Sequence, residues 1–350
     1  MSQTFRVGLT RDFLKPDGTL GFGDIGLDLL DQIPWVQRDF LAEDVRELRP
    51  DQIQDYDALL VLAPLVTAAT LEGVQRLTVL ARFGVGYDSV DLAACTANGV
   101  MLTITPDGVR RPVAASIMTL LLALSHKLLV KDRLTREGRW GQKLNHMGQG
   151  VTGRTLGVIG LGNIGRDLLT LAAPFGMRHL AHDPYLSPQQ AAAAGAELVD
   201  LETLLRDSDY VSINCALTPE THHLLDAQRL ALLKPTAYLI NTARGPIVDQ
   251  AALTKVLREG RIAGAGLDVF EDEPVDPNDP ILTLDNVIVA PHGLCWTDEC
   301  FYGIVKSACE SVVDVAFGRT PRYVVNREVL DTPQLHEKLR RYGGSATEAG

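Results

Sequence analysis

Three segments of this chain set reactive side chains beside a glycine or a proline: Asn241-Thr-Ala-Arg-Gly-Pro-Ile-Val-Asp249, Gly264-Ala-Gly-Leu-Asp-Val-Phe-Glu-Asp-Glu-Pro274 and Val289-Ala-Pro-His-Gly293. In the first, Arg244 offers a planar guanidinium fork suited to bidentate capture of a carboxylate, and the adjacent glycine lets a small ligand come close. In the third, His292 carries an imidazole, the group that passes protons near neutral pH. The second segment holds three acids in a row, Glu271, Asp272 and Glu273. A carboxylate beside an imidazole favours its charged form, which suits protonating an alkoxide as it develops. Glu273 is the best partner, but chemistry alone leaves the register among the three open.

Such groups work together only if the chain brings them to one place. Each segment lies at the carboxyl end of a short β-rich run, within a series at Thr155 to Ile159, Arg178 to His182, Tyr210 to Asn214, Ala237 to Asn241, Ile262 to Val269 and Val287 to Ala290. Helix-compatible stretches separate the runs, so six parallel strands in a doubly wound sheet are expected, with ligands at the carboxyl edge. An earlier series, Phe5 to Thr10, Asp57 to Leu62, Val79 to Phe83 and Gly99 to Ile104, predicts another parallel α/β layer. After His292 the chain turns helical to about Phe317 and is expected to return to the first domain. The last twenty or so residues are polar and weakly periodic, so a frayed tail is predicted over 331–350.

The strand Thr155 to Ile159 runs directly into Gly160-Leu161-Gly162-Asn163-Ile164-Gly165, a G-x-G-x-x-G pattern that opens a helix. The first glycine permits the tight turn, the second lets a pyrophosphate approach the backbone, and the third lets helix and strand pack closely. Asp183, followed by Pro184, ends the next strand about twenty residues on, where a carboxylate accepts from adenosine ribose hydroxyls and repels a 2′-phosphate. NAD rather than NADP is therefore the expected cofactor. Asp268 is a charge within the apolar run Leu267-Asp-Val-Phe270, and needs a definite hydrogen-bond partner: the nicotinamide carboxamide or a backbone cap.

Bulk properties narrow the function. With 350 residues, 46% of them apolar, the chain can bury the cores of two domains. A net charge of −11 and a pI near 5.2 disfavour nucleic acid and anionic membrane as partners. The five cysteines include no pair at zinc-ribbon or redox spacing, so a reducing cytoplasm and no metal are expected. The start, MSQTFRVGLTRDF, carries no signal-peptide pattern. The apolar stretch Pro112 to Val130 is interrupted by Ser116, Thr119, Ser125, His126 and Lys127, and reads as a buried helix rather than a membrane span.

Taken together, the motifs resemble the D-2-hydroxyacid dehydrogenase family, over roughly residues 55 to 326. They are RFGVGYDSVD at 82–91, TGRTLGVIGLGNIGR at 152–166, LINTARGPIVD at 239–249, GLDVFEDEP at 266–274 and APH at 290–292. The resemblance implies an α/β chain of two doubly wound parallel-sheet domains. A Rossmann NAD-binding domain at 106–297 would be inserted in a flavodoxin-like substrate domain made of 1–105 and 298–330. It implies hydride transfer between nicotinamide C4 and C2 of a small 2-oxo or 2-hydroxy acid. Arg244 would hold the acid group, His292 would be the acid/base and Glu273 its partner, which settles the register among the three acids. Backbone N–H groups near Val85 and Gly86 would hold the substrate carboxylate, in an interdomain cleft closed by domain motion. Cofactor contacts are expected at Gly160, Gly162, Asn163, Ile164, Gly165, Asp183, Pro184, Cys215, Thr221, Thr242 and Asp268, and a homodimer through the nucleotide domain is the family habit.

Departures from the family pattern carry information. Leu60-Val-Leu-Ala-Pro-Leu-Val-Thr67 lacks the arginine with which phosphoglycerate enzymes hold a phosphate, so an unphosphorylated substrate is favoured. The helix from Pro112 lacks the acid usual there, and Trp296 stands where many relatives have small residues, either covering the substrate pocket or packing between the domains as core. Glu273 argues against formate oxidation, whose enzymes have glutamine there. Phosphite oxidation and phosphoglycerate oxidation remain as alternatives, as does an NAD-sensing corepressor-like scaffold.

Overall fold

In the computed structural model, which describes residues 4–342, the chain divides into two compact units. One is drawn from Met1–Val109 and Thr297–Gly350, the other from Arg110–Trp296. The first contains five parallel strands, β1 (Phe5–Leu9), β2 (Val36–Phe40), β3 (Ala58–Val61), β4 (Val79–Arg82) and β5 (Met101–Thr103), in the order β2-β1-β3-β4-β5. This is the flavodoxin-like order. Strands β1, β3, β4 and β5 are buried almost throughout, the mark of parallel strands covered on both faces. β2 was not expected: as an edge strand carrying Gln37, Arg38 and Asp39, it has no apolar run to betray it. The helix Asp298–Ala316 buries Phe301, Ile304, Val305, Ala308, Val312 and Val315 in the same unit. It passes so close to Gly108 that a Cβ there would lie 2.3 Å from the Ile304 nitrogen.

The frayed tail is corrected. Pro333–Arg340 is a helix capped by Thr332, with Leu335 and Leu339 buried and the Lys338 ammonium donating to the carbonyls of Leu77 and Asn98. Two leucines four apart and a cap suffice to dock a short amphipathic helix, despite its polar composition. Residues 343–350 lie outside the described residues.

The second unit is a seven-stranded parallel sheet: β6 (Thr155–Ile159), β7 (Arg178–His182), β8 (Glu197–Leu198), β9 (Tyr210–Ile213), β10 (Tyr238–Asn241), β11 (Gly264–Leu267) and β12 (Val287–Val289), in the order β12-β11-β10-β9-β6-β7-β8. It has one strand more than expected, because the two-residue edge strand β8 is too short for a pattern. The order reverses between β6 and β9, creating the switch point where open α/β sheets bind ligands. One apolar cluster on this sheet includes Leu204, Val211, Ile213, Leu239 and Leu267, and another includes Ile117, Leu121, Leu156, Val158 and Ile240.

The run Pro112 to Val130 is not one helix. Pro106–Ser125 ends where Lys127 turns left-handed (φ 52°), and Leu128–Arg136 starts anew. Among the described helices, Pro106–Ser125 alone is long and apolar enough to cross a membrane, and 61% of its most apolar window is buried inside the protein. Leu120 lies against Gly266, and Ser125 accepts a hydrogen bond from the buried Tyr210 hydroxyl (3.0 Å).

Candidate active site

The glycine turn sits at the switch point. Gly160 has φ +91°, and a Cβ on it would lie 2.7 Å from the Cys215 nitrogen after β9. A Cβ on Gly165 would lie 2.5 Å from the Gly160 carbonyl oxygen, so this glycine is what lets the helix Asn163–Ala172 lie against the turn. Gly162 differs: a Cβ there meets nothing within 4 Å, and as N-cap it makes no side-chain cap. The space over the helix N-terminus is thus kept open for an anion, while Ile164 packs inward.

Asp183, at the end of β7, accepts from the N–H of Leu161 through Oδ2 (2.9 Å) and of Tyr185 through Oδ1 (3.0 Å). It is thereby fixed beside the glycine turn, with Pro184 next in the chain. Thr221 ties its own loop together, donating to the Ala216 carbonyl and accepting from Thr218 N–H (both 2.7 Å). The Thr242 hydroxyl is buried with no hydrogen-bond partner among the described residues, an opening for a ligand atom. An uncapped helix end, an open glycine and an orphaned hydroxyl fit a dinucleotide.

The candidate reacting residues lie on loops brought side by side by strand register. Asn241 of β10 pairs with Leu267 of β11, which pairs with Val289 of β12. The three strands end level, and their loops leave side by side. Buried Asn241 shapes the first loop, its side chain accepting from Ala243 N–H (3.0 Å) and donating to the Arg244 carbonyl (2.9 Å). The next residue must be glycine: a Cβ on Gly245 would lie 1.8 Å from the Phe270 carbonyl group and 2.4 Å from Glu271 nitrogen.

His292 and Glu273 form a pair, Nδ1 to Oε2 at 2.7 Å, and the other Glu273 oxygen accepts from Phe270 N–H (3.0 Å). Burial pushes the Glu273 carboxyl up, but the bonds from His292 and Phe270 and the nearby charges of His292 and Arg244 outweigh it, leaving a net shift downward. Glu273 therefore stays an anion. Glu271 turns away and pairs with His223 instead (2.6 Å).

Asp268 has the backbone partners that were one of its two expectations. Its carboxylate accepts from Gly293 N–H (3.0 Å) and Leu294 N–H (3.1 and 3.2 Å), while its carbonyl accepts from His292 N–H (2.8 Å). Burial raises its carboxyl, partly offset by those N–H groups. The clamp holds His292 at φ +51°, a left-handed backbone that a side chain seldom adopts. Trp296 is 52% exposed and lies over Gly293.

Val85 and Gly86 belong to the other unit, in the turn after β4, and are half-buried. Neither N–H has a hydrogen-bond acceptor among the described residues. Asn241 is not singled out in the sequence reading, which leaves Asp268 open between a backbone cap and a ligand contact. Their signal is a polar side chain at a buried strand end, which sequence alone does not separate from a ligand contact.

Comparison with known proteins shows the family. The family model for D-isomer specific 2-hydroxyacid dehydrogenase, NAD binding domain, matches residues 118–293. The chain is 39% identical to a glyoxylate reductase of Korarchaeum cryptofilum, over 80% of this chain and 86% of that protein. It is 34% identical to a D-3-phosphoglycerate dehydrogenase of Synechocystis, over 91% of this chain but 57% of that protein. The structure of D-lactate dehydrogenase from Aquifex aeolicus complexed with NAD and lactic acid is similar, with a TM-score of 0.76 and 27% identity, over 88% of this chain and 94% of that one. The chain therefore belongs to the D-isomer specific 2-hydroxyacid dehydrogenase family, NAD-dependent oxidoreductases acting on the CH–OH group of 2-hydroxy acids.

Proposed function

We propose that this protein interconverts a small, unphosphorylated 2-oxo acid of the glyoxylate or hydroxypyruvate type with its 2-hydroxy acid. The observation that carries the reading is the His292 to Glu273 contact of 2.7 Å. With Nδ1–H donating to Glu273, Nε2 is the nitrogen left to exchange a proton with the substrate oxygen. In reduction, the imidazolium Nε2–H gives its proton to the oxygen at C2 as that oxygen gains negative charge. Glu273 stabilises the imidazolium beforehand, and Asp268 acts as a positioning residue by fixing the turn. Arg244 binds the substrate carboxylate. The nicotinamide, when bound, supplies or takes the hydride at C2. Residues proposed to hold the cofactor are Gly160, Gly162, Asn163, Ile164, Gly165, Asp183, Pro184, Cys215, Thr221, Thr242 and Asp268.

Absence of an arginine from Leu60 to Thr67 supports an unphosphorylated substrate, as does the similarity to glyoxylate reductases. A homodimer through the second unit is supported by exposed Trp140, Leu144 and Met147. Five free cysteines support a reducing, cytoplasmic setting.

Loss of NADH absorbance with glyoxylate, hydroxypyruvate, pyruvate, bulkier 2-oxo acids and 3-phosphohydroxypyruvate tests the reading. His292→Asn is expected to lower turnover about 10²–10⁴-fold while NADH still binds. Normal turnover in that variant removes His292 from the mechanism, and a preference for the phosphorylated acid overturns the substrate class.

A further inference from the structure

A second histidine–carboxylate cluster lies outside the proposed catalytic set, and we propose that His222, His223 and Glu271 bind a divalent transition-metal ion of the zinc type. One ligand atom from each of the three lies within 4.8 Å of those of the other two. No metal is expected from the sequence reading, and this pattern is hard to see in sequence because the carboxylate stands 48 residues beyond His223.

The cluster is anchored through the main chain. His223 N–H donates to the Pro246 carbonyl (2.8 Å), and the residue is held at φ +49°. Glu271 presents Oε1 to His223 Nε2 at 2.6 Å, while Oε2 accepts from Gln250 N–H (3.1 Å) and Glu271 N–H donates to Gln250 Oε1 (2.9 Å). His222 is exposed and stacks on His223, ring centres 4.1 Å apart and planes 27° from parallel. An ion pair alone would need only His223 and Glu271. The second imidazole converts the pair into a three-ligand set.

Two imidazole nitrogens and one carboxylate suit zinc, cobalt or nickel, whereas calcium and magnesium take mostly oxygen ligands. Around tetrahedral zinc, ligand atoms lie about 3.3 Å apart, given bonds of about 2.0–2.2 Å. Side-chain rotations of roughly an ångström or two bring the three atoms to that spacing, with the metal taking the place of the proton between His223 and Glu271. The exposed side of His222 leaves a fourth position for water.

The test uses the full chain, stripped with a chelator and titrated with Zn²⁺ by calorimetry and with Co²⁺ by visible absorption. Wild type, His222→Ala, Glu271→Gln and His292→Asn are compared. Wild type and His292→Asn are expected to take up one ion per chain with a tetrahedral Co²⁺ spectrum. His222→Ala and Glu271→Gln should bind at least about tenfold more weakly. His222 is exposed, so its replacement does not endanger the fold, and its metal-free turnover should equal that of wild type. No uptake by wild type, unchanged uptake by His222→Ala, or loss of uptake in His292→Asn alone would each overturn the proposal.

Discussion

Gly245→Ala puts the positioning of Arg244 and Glu273 to a direct test. The added methyl would start 1.8 Å from the carbonyl carbon and oxygen of Phe270 and 2.4 Å from Glu271 nitrogen. All three are backbone atoms, so no side-chain rotation relieves the clash. Ordinary contact needs about 3.5 Å, so the loops after β10 and β11 must part by about 1.7 Å. One carries Arg244 and the other Glu273. A misplacement of about 1 Å in a reacting group can cost about 10²-fold in rate, equivalent to about 2.7 kcal/mol. Overpacking of this kind also destabilises by about 1–3 kcal/mol. The assay is steady-state reduction of the best 2-oxo acid, followed by NADH absorbance, with NADH binding by fluorescence and thermal unfolding alongside. The expected result is a fall in kcat/KM of about 10²-fold, a Tm lower by several degrees and NADH affinity changed little. Gly162→Ala is the control: its methyl meets nothing within 4 Å, so Tm should hold while NADH affinity falls. If Gly245→Ala turns over normally, the level strand ends do not set the catalytic geometry.

Two further outcomes follow from the site. Asp183 is fixed beside the glycine turn and repels a 2′-phosphate, so wild type should use NADH far better than NADPH. Asp183→Ala should shift the ratio of catalytic efficiencies towards NADPH by about tenfold or more, and equal efficiencies in wild type would sink the assignment. Glu273 has a carboxyl depressed below its ordinary 4.5, so the stability it contributes is complete above that value and lost as pH falls through the folded-state value. With 36% of the side chain exposed, screening keeps this below about 1 kcal/mol. Urea midpoints at about pH 7 and pH 3 should therefore fall slightly less for Glu273→Gln than for wild type, and a larger acid-dependent loss in the variant would contradict the pairing.

The sequence was most legible where strands are buried on both faces. β6, β9 and β10, buried throughout, lie within a residue of where their runs predict them, and the G-x-G-x-x-G turn is read from the strand before it and the helix after it. Two edge strands escaped: β2 carries Gln37, Arg38 and Asp39 in a row and β8 has two residues. Arg244, Glu273 and His292 were legible as residue types at strand ends, yet only register shows that the ends are level. Glu271 and Glu273 could not be told apart chemically, because each finds a histidine of its own, His223 for one and His292 for the other. The role of Asp268 was similarly hidden, since a buried carboxylate clamping backbone N–H groups and one touching a ligand leave the same mark in sequence.

The level ends of β10, β11 and β12 also separate two kinds of evolutionary change. Neighbouring strands stand about 4.8 Å apart, so the proposed anion anchor, its carboxylate neighbour and the proposed proton carrier leave the sheet from strand ends set by its own hydrogen-bond ladder. Elsewhere, loops can lengthen or shorten, and residues such as Trp296 can come and go, without disturbing that spacing. The choice of which acid is accepted can then drift or be redesigned by loop grafting, while the proton chemistry stays locked to the scaffold.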